Sequence, residues 1–348
     1  MESIKPHEKN PYQPRINSIR KVIYSEDKRL REKYSWLQHQ NALGMAWFVG
    51  SLVSMGIISA LYINGVIAWY VALIIMGVPI SFLHELEHDL IHDMYFKEHK
   101  WIQHFMFGVI WVSKLNANPW WRKPMHLKHH KTSGQVDDIE ERLIGLGLPF
   151  GLKRILVTLS PLGSFLVMNG VAEDSKKMDS KPLLNIIRTS FVNLPVLLPS
   201  HLALLAILFP SMVSETVYNF CWNVCMLMFF PNMIRQSCLQ IVSTGVHYYG
   251  DIPMKNVFFQ NQVIDHWTFY PMQLFCFNFG ATHILHHYVT RQPFYLRQMC
   301  APGVMNEFKK QGVRFNDLEI YKRDHRYNKV NTTTKQQPSH TIQLAVGA

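Results

Sequence analysis

The sequence predicts an all-α integral membrane protein with four transmembrane helices in two hairpins and a cytoplasmic helical cap that carries clustered histidines. Three observations support this fold class. Hydrophobic residues make up 48% of the 348-residue chain, and they are concentrated in blocks between polar, basic segments. Four of these blocks are close to the roughly 20 apolar residues that a helix needs to cross a bilayer. Many of the histidines are grouped near these blocks.

The first hairpin is predicted from two apolar runs near the N-terminus. Ala42 to Ile63 and Val66 to Leu83 contain no charged residue, and Asn64-Gly65 between them is a turn signal. Both ends of such a hairpin lie on the same side of the membrane.

The second hairpin is predicted over residues 186–209 and 217–234. The linker between them, residues 210–216, contains no Lys or Arg, whereas segments 84–185 and 235–348 hold nearly all the positive charge that follows the N-terminal region. Cytoplasmic loops carry an excess of Lys and Arg. We therefore expect both termini and the active site to be cytoplasmic, in a multi-pass protein of a bacterial inner membrane or the endoplasmic reticulum.

Composition divides the chain into three parts. Residues 1–40 are charged, as expected of a cytoplasmic tail, and residues 41–320 form the membrane domain. Residues 321–348 are rich in Asn, Thr, Gln and Lys, so we expect them to be disordered. Within the domain, Trp101–Leu115 and Leu143–Val167 are too short or too interrupted to span, and they predict re-entrant or interfacial helices.

The net charge of +11 raises the possibility of a nucleic-acid partner. The basic residues lie in the tails and beside apolar blocks, however, which favours lipid headgroups or an acidic protein partner over nucleic acid. The five cysteines show no CxxC spacing, so we expect them to be reduced and structural. The polar N-terminus predicts no cleavable signal peptide.

Ten of the 18 histidines fall in four groups. The groups are His84, His88 and His92; His126, His129 and His130; His283, His286 and His287; and His247, which lies in a Gly-Val-His-Tyr-Tyr-Gly segment. Residues at i, i+3 and i+4 share one face of a helix, whereas a strand would point His129 and His130 to opposite faces. The spacing therefore predicts histidine clusters on helices. His201, alone in an apolar segment, is interpreted as a satisfied core residue.

Nine of these side chains are candidate metal ligands: His88, His92, His126, His129, His130, His247, His283, His286 and His287. A tetrahedral zinc ion takes about four ligands, so nine imidazoles suit two metal ions better than one. Imidazole binds Zn, Cu, Fe and Ni alike, so the donor type leaves the metal open. Iron is the usual metal where a histidine-bound pair activates dioxygen against hydrocarbon.

Three of the groups resemble the membrane fatty acid desaturase/hydroxylase superfamily, whose signature is three histidine boxes on the cytosolic side of four spans. His88-Asp-Leu-Ile-His92 matches the HxxxH box, and the other two groups of three match the two HxxHH boxes. The resemblance covers about residues 40–300. His247, in His-Tyr-Tyr-Gly, is similar to an extra ligand that alkane hydroxylases of this superfamily carry before the last box.

The resemblance implies a non-haem diiron oxidoreductase that uses dioxygen to oxidise a fatty acid or fatty-acyl chain, with desaturation as the first expectation. Hydroxylation by a monooxygenase reaction and oxidative decarboxylation to a terminal alkene remain open. The electrons would come from a separate carrier of ferredoxin, rubredoxin or cytochrome b5 type, since the chain has no His-Pro-Gly-Gly haem site. No catalytic residue beyond the metal ligands is predicted.

Residues near the histidine boxes could position the metal ligands or bind the head group of a substrate. His84 is expected to position a ligand rather than to bind metal, and Glu85, Glu87 and Asp89 can accept hydrogen bonds from ligand N–H groups. Cations that could pair with a substrate head group are Arg122, Lys123, Lys128, Arg291 and Arg297.

Two other classes of protein compete with this interpretation. His84-Glu-Leu-Glu-His88 is a literal HExxH, the motif of zinc proteases, but the Asp-containing segments that supply a third ligand in intramembrane proteases do not occur here. A membrane metal transporter would place ligands inside its spans. The predicted spans hold almost no charge and no clustered histidine.

Overall fold

The computed structural model describes most of the chain. The described residues are 10–135, 137–148, 151–159, 182–250, 252–253 and 256–322, with the backbone alone for 182–190. The predicted disordered segment, apart from its first two residues, and part of the predicted interfacial segment Leu143–Val167 lie outside these ranges.

Within these ranges the regular structure is helical, without an extended strand. The first seven helices are α1 (Gln13–Lys33), α2 (Gln40–Ile63), α3 (Trp69–Ile91), α4 (Lys100–Lys114), α5 (Pro119–Thr132), α6 (Ile139–Ile144) and α7 (Leu152–Leu159). The following seven are α8 (Pro182–Leu208), α9 (Glu215–Val224), α10 (Phe230–Val246), α11 (Val257–Gln260), α12 (Tyr270–Leu274), α13 (Phe279–Tyr288) and α14 (Phe294–Gln311). Isolated bridges pair His247 with Asn261 and Val263 with Phe315.

Three described helices are long and apolar enough to cross a membrane: α2, α3 and the Phe191–Leu208 part of α8. Many of their exposed side chains are apolar, such as Val49, Val53 and Ile57 on α2, as expected of surfaces that face lipid. Gly65, in the predicted turn between α2 and α3, has φ +70°, which suits a residue without a side chain.

The second predicted span, Val66 to Leu83, differs in extent from the helix. α3 begins at Trp69 and continues through His84 to Ile91, because no Gly or Pro follows Leu83 to end it. Every residue from Ser81 to Ile91 except Phe82 is buried. His88 of the first histidine box therefore lies on the same helix as the candidate span, and His92 directly follows that helix.

The fourth predicted span, residues 217–234, falls on a helical run that is interrupted rather than uniform. α9 passes through a π turn at Cys225–Phe229 into α10. Pro231 follows this turn, and a proline lacks the N–H that an α-helical ladder would need from it. By length and composition this run is not among the three candidate spans, so a fourth span stays a prediction.

The N-terminal region contains a helix that packs into the domain. Ile16, Ile19 and Ile23 of α1 are buried in the largest hydrophobic core, together with Val304 and Phe308 of α14. Ser18 Oγ donates to Glu307 Oε1 at 2.6 Å, and Arg20 Nε donates to the Tyr288 carbonyl at 3.0 Å. These contacts join the two ends of the described chain.

Two helices expose apolar side chains where interfacial segments were predicted. On α4, Trp101 is 70% and Phe105 is 58% exposed, while Phe107 and Ile110 are buried. On α7, Leu152 is 71% exposed. Such two-sided helices are suited to lying in a membrane interface.

Candidate metal centre

The nine candidate ligands come from four parts of the fold. His88 is in the last turn of α3, and His92 directly follows that helix. His126, His129 and His130 lie on α5, which begins after Asn118, whose Oδ1 accepts from Trp120 and Trp121 N–H. His247 follows α10, and the last three candidates, His283, His286 and His287, lie on α13. Both HxxHH motifs are therefore helical, as predicted.

The structure brings all nine histidines together in two groups. In each group, one ring nitrogen from every member lies within 4.8 Å of those of the others. The first group is His88, His92, His126, His130 and His286, and the second group is His129, His247, His283 and His287. The groups are adjacent, since the ring centroids of His130 and His287 are 4.8 Å apart.

The Nε2 atoms of the first group face one another. His92 Nε2 lies 3.0 Å from both His126 Nε2 and His286 Nε2, and His130 Nε2 lies 3.1 Å from His126 Nε2 and 2.9 Å from His286 Nε2. Two nitrogens about 2.1 Å from one ion and at right angles would be about 3.0 Å apart. The spacing fits a shared metal ion.

The second group is built in the same way. His283 Nε2 lies 3.0 Å from His247 Nε2 and 3.1 Å from His287 Nε2. The ring of His129 is 5.2 Å, centroid to centroid, from those of both His247 and His287.

Each HxxHH helix contributes to both groups. On α5 the pair separated by four residues, His126 and His130, joins the first group, and His129 joins the second. On α13 the pair His283 and His287 joins the second group, and His286 joins the first. One helical turn separates the residues of each pair, so they present nitrogens to the same group, while the third ring turns to the neighbouring group.

The Nδ1 atoms of three rings face acceptors outside the groups. His126 Nδ1 lies 2.7 Å from Glu140 Oε2, His129 Nδ1 lies 2.9 Å from Asp138 Oδ2, and His247 Nδ1 lies 2.9 Å from the Ser243 carbonyl. An Nδ1–H that donates outward leaves the Nε2 lone pair directed inward. This tautomer, inferred from the contacts, is the one that binds metal through Nε2.

His88 tests the fit most directly. Only 3% of the residue is exposed, and neither ring nitrogen has a hydrogen-bond partner among the described residues. A buried polar atom without a partner is costly unless something binds it. An ion shared with His92 and His286 would bind one of these two nitrogens.

The electrostatic environment keeps most of these rings neutral, which is the form that binds metal. Burial lowers the pKa of His126, His130, His283, His286 and His287, and neighbouring rings add to the effect. Burial also lowers the pKa of His92 to about 3. For His129, burial is outweighed by Asp138, Glu140 and Glu141, which raise the pKa to about 9.

The acidic segment that holds these rings was missed in the sequence. Asp138 and Glu140 lie at the start of α6, just after the second box, and Asp138 Oδ1 also accepts from the Glu141 N–H at 3.1 Å. The available signal was the run Asp-Asp-Ile-Glu-Glu at 137–141. Histidines that bind metal commonly donate to such carboxylates.

Of the acids beside the first box, Asp89 has Oδ1 at 3.7 Å from His88 Nδ1, whereas Glu87 contacts two cations. Glu87 binds Lys114 Nζ at 2.7 Å and Arg122 Nη1 at 2.9 Å, and Arg122 Nε binds Glu140 Oε1 at 3.1 Å. A chain of charges thus runs from Lys114 to Glu140 behind His126. The prediction that Glu87 accepts from a ligand N–H is wrong, because two buried cations occupy its oxygens.

Arg297 forms the second charge cluster. Its Nη2 lies 3.3 Å from Glu85 Oε2 and 3.1 Å from Asp89 Oδ1. Asp89 Oδ2 accepts from the Tyr95 hydroxyl and from the Phe294 N–H, both at 2.9 Å. Since these carboxylates hold Arg297, as Glu87 and Glu140 hold Arg122, neither arginine is free to bind a head group.

His84 is outside both groups. Its Nδ1 lies 3.2 Å from Lys114 Nζ. The two histidines of the HExxH motif therefore do not share a group of potential ligands among the described residues, which counts against the zinc-protease interpretation.

A comparison with known protein families matches the region that contains all three histidine boxes. The model of one protein family, described as fatty acid desaturase, matches residues 65–319, which is well over half of the chain. A search of curated proteins found no match.

Proposed function

Since the chain belongs to the fatty acid desaturase family, we propose that it uses dioxygen to oxidise a fatty acid or fatty-acyl chain at a two-iron centre. The observation that carries the proposal is the pair of adjacent histidine groups, with five members and four members. The family favours desaturation as the outcome. Hydroxylation and oxidative decarboxylation use the same centre, and the products of the test below distinguish the three reactions.

The nine histidines are the proposed iron ligands, five for one ion and four for the other. When bound, the two irons supply the redox chemistry by which dioxygen can attack an unactivated C–H bond. The protein holds the ligands from behind through Glu140, Asp138 and the Ser243 carbonyl, so that little rearrangement is needed when the metals bind.

We further propose four spans with both termini and the metal centre in the cytoplasm. Lys and Arg are concentrated in the segments that flank the boxes, which supports this orientation. Electrons would come from a separate, acidic carrier of ferredoxin, rubredoxin or cytochrome b5 type that is attracted to this basic surface. The substrate would enter from the lipid.

The test compares lipids from cells that express the wild type, His129→Ala or His39→Ala, by mass spectrometry. His129 belongs to the second group, whereas His39 is an exposed residue that belongs to neither group. We expect new internal double bonds with the wild type and His39→Ala, and loss of this product with His129→Ala. Hydroxylated lipids or volatile terminal alkenes would reassign the reaction.

Metal analysis gives an independent check. Purified wild type should contain two irons per chain. One zinc per chain, or no oxidised product that depends on His129, would overturn the proposal.

A further inference from the structure

A small polar cavity lies between α4, α8 and α10, beside the charge chain that leads to His126. Its volume is about 30 Å³, and its polar lining includes Lys114, Asn116, His201, Asn232 and Gln236. A space of this size has room for about two water molecules. Buried polar groups beside the candidate span α8 are costly unless they are hydrogen-bonded, because lipid supplies no hydrogen bonds.

Two acceptors on residues that line this cavity have no donor among the described side chains and backbone. Asn232 is 5% exposed, and its Nδ2 donates to the Ser113 and Met228 carbonyls, both at 2.9 Å, which fixes the amide so that Oδ1 is unpartnered. His201 Nδ1 lies 2.7 Å from the Leu197 carbonyl, so the proton is on Nδ1 and the unpartnered Nε2 is an acceptor. A buried acceptor without a donor is costly, so a water molecule bound beside these residues would stabilise them.

Lys114 lies between this cavity and His84. Its side chain is 1% exposed and lines the cavity, and its ammonium contacts Glu87 Oε2 at 2.7 Å and His84 Nδ1 at 3.2 Å. An ammonium has three donors, so one remains for the cavity. His84 precedes His88 by one helical turn, about 6 Å along the axis, on the same face of α3.

The proposed reaction needs protons at this buried place. When dioxygen removes two hydrogens from adjacent CH₂ groups, a C=C bond forms and both oxygen atoms leave as water. The balance requires two electrons, from the carrier, and two protons, from the medium. Hydroxylation also consumes two electrons and two protons, with one oxygen atom in the alcohol and one in water.

We propose that the cavity binds water and that Lys114 and His84 pass protons from this water to the metal centre. The inference rests on the proposed function. Lys114 gives a proton to His84 Nδ1, His84 releases one from its other ring nitrogen toward the first group, and the Lys114 amine takes a proton from the cavity water. Water in the cavity regains that proton from the medium.

Lys114 has the properties that this step needs. Burial lowers its pKa to about 7, although Glu87 opposes the shift, so the ammonium can lose and regain a proton near neutral pH. Arg122, which also binds Glu87, cannot release a proton in a protein. The Lys114–His84 contact thus offers a route that does not pass through Arg122.

The test uses the full chain loaded with iron, in membranes that contain the host's electron carriers. Lys114→Arg keeps a positive charge opposite Glu87 but removes the exchangeable proton, and Lys97→Arg is the control at an exposed lysine. We expect Lys114→Arg and His84→Gln to keep two irons per chain but to form product at least about tenfold more slowly. The solvent deuterium isotope effect on product formation should increase in both variants and not in the control.

The cavity is tested separately. Asn232→Leu should displace the water and slow product formation without loss of iron, and cryo-electron microscopy of the wild type should show water near Asn232 Oδ1 and His201 Nε2. An empty cavity, or a Lys114→Arg rate equal to that of Lys97→Arg, would overturn the inference while the proposed function stands. Loss of iron in parallel with loss of activity would show a positioning role instead. A wild type that forms no product would mean that the proposed function itself has failed.

Discussion

The orientation of His129 depends on a single carboxylate. Its Nδ1 faces Asp138 Oδ2 at 2.9 Å, so the opposite nitrogen is left for the second group. The same Oδ2 accepts from the Gly134 N–H at 3.0 Å, and Oδ1 accepts from the Glu141 N–H. Asp138 therefore fixes both the ring and the turn between α5 and α6.

Asp138→Asn should weaken iron binding at the second group. The amide can still cap α6 through its oxygen, but its NH₂ cannot accept from His129 Nδ1. Removal of such a partner typically costs about 10- to 100-fold in metal affinity. Competition with an iron chelator measures this change. The expected result is that the variant retains one iron more tightly than the other.

Asp137→Asn is the matched control for this substitution. Asp137 is the preceding residue and pairs with the half-exposed Lys128 at 3.2 Å, away from the histidines. Its loss should leave both irons bound. If the two variants release iron equally, Asp138 does not orient a ligand.

Glu87 shows why the sequence did not reveal every contact of the site. Its position before His88 suggested an acceptor for a ligand N–H, but its partners Lys114 and Arg122 lie 27 and 35 residues away in the sequence. The contacts of Glu87 in the described structure are with these two cations and not with a ligand ring. Spacing indicates the candidate ligands, because they repeat along a helix. Partners brought together by tertiary packing leave no such local pattern.

At the scale of elements, the helices that carry the boxes were predictable and the N-terminal helix was not. The HxxHH spacing brings three rings to one side of the backbone only in a helix, and both α5 and α13 are helices. Residues 1–40 are polar on average, which indicated a tail. The four isoleucine and leucine residues of α1 that are buried lie among charged ones, and their partners on α14 are nearly 300 positions away.

Ile19→Ala should destabilise the protein if α1 is part of the core. Ile19 is 0% exposed and contacts the cluster that includes Phe308. Truncation of a buried isoleucine typically costs about 2–5 kcal/mol. The midpoint of thermal unfolding in detergent should therefore fall, whereas Tyr24→Ala, at a side chain that is 59% exposed, should leave it unchanged. Equal midpoints would show that α1 is a loosely attached tail.

At the scale of the whole molecule, contacts between distant parts of the chain limit the number of spans. α1 precedes the first candidate span and α14 follows the last, yet Ser18 and Glu307 are hydrogen-bonded at 2.6 Å. Two helices can touch in this way only if the chain crosses the membrane an even number of times between them. Three candidate spans among the described residues are an odd number, which agrees with the proposed fourth crossing at the α9–α10 run.

Contacts between histidines of different boxes also require an even number of membrane crossings between them. His92 follows two candidate spans and His286 follows the α9–α10 run, and their Nε2 atoms are 3.0 Å apart. If that run did not cross, α13 would lie on the opposite side of the membrane from α5, and the two groups could not form. The metal centre and the topology therefore depend on each other.

Single-cysteine labelling tests this topology. Ser211→Cys lies in the linker before α9, and Lys28→Cys and Lys310→Cys lie on exposed positions of α1 and α14. In intact bacterial cells, a membrane-impermeant maleimide should label Ser211→Cys alone, and permeabilised cells should show all three. The native cysteines are at least partly buried, so the wild type serves as the background. Labelling of Lys310→Cys in intact cells would mean three crossings, and it would separate α14 from α1 and the last histidine box from the other two.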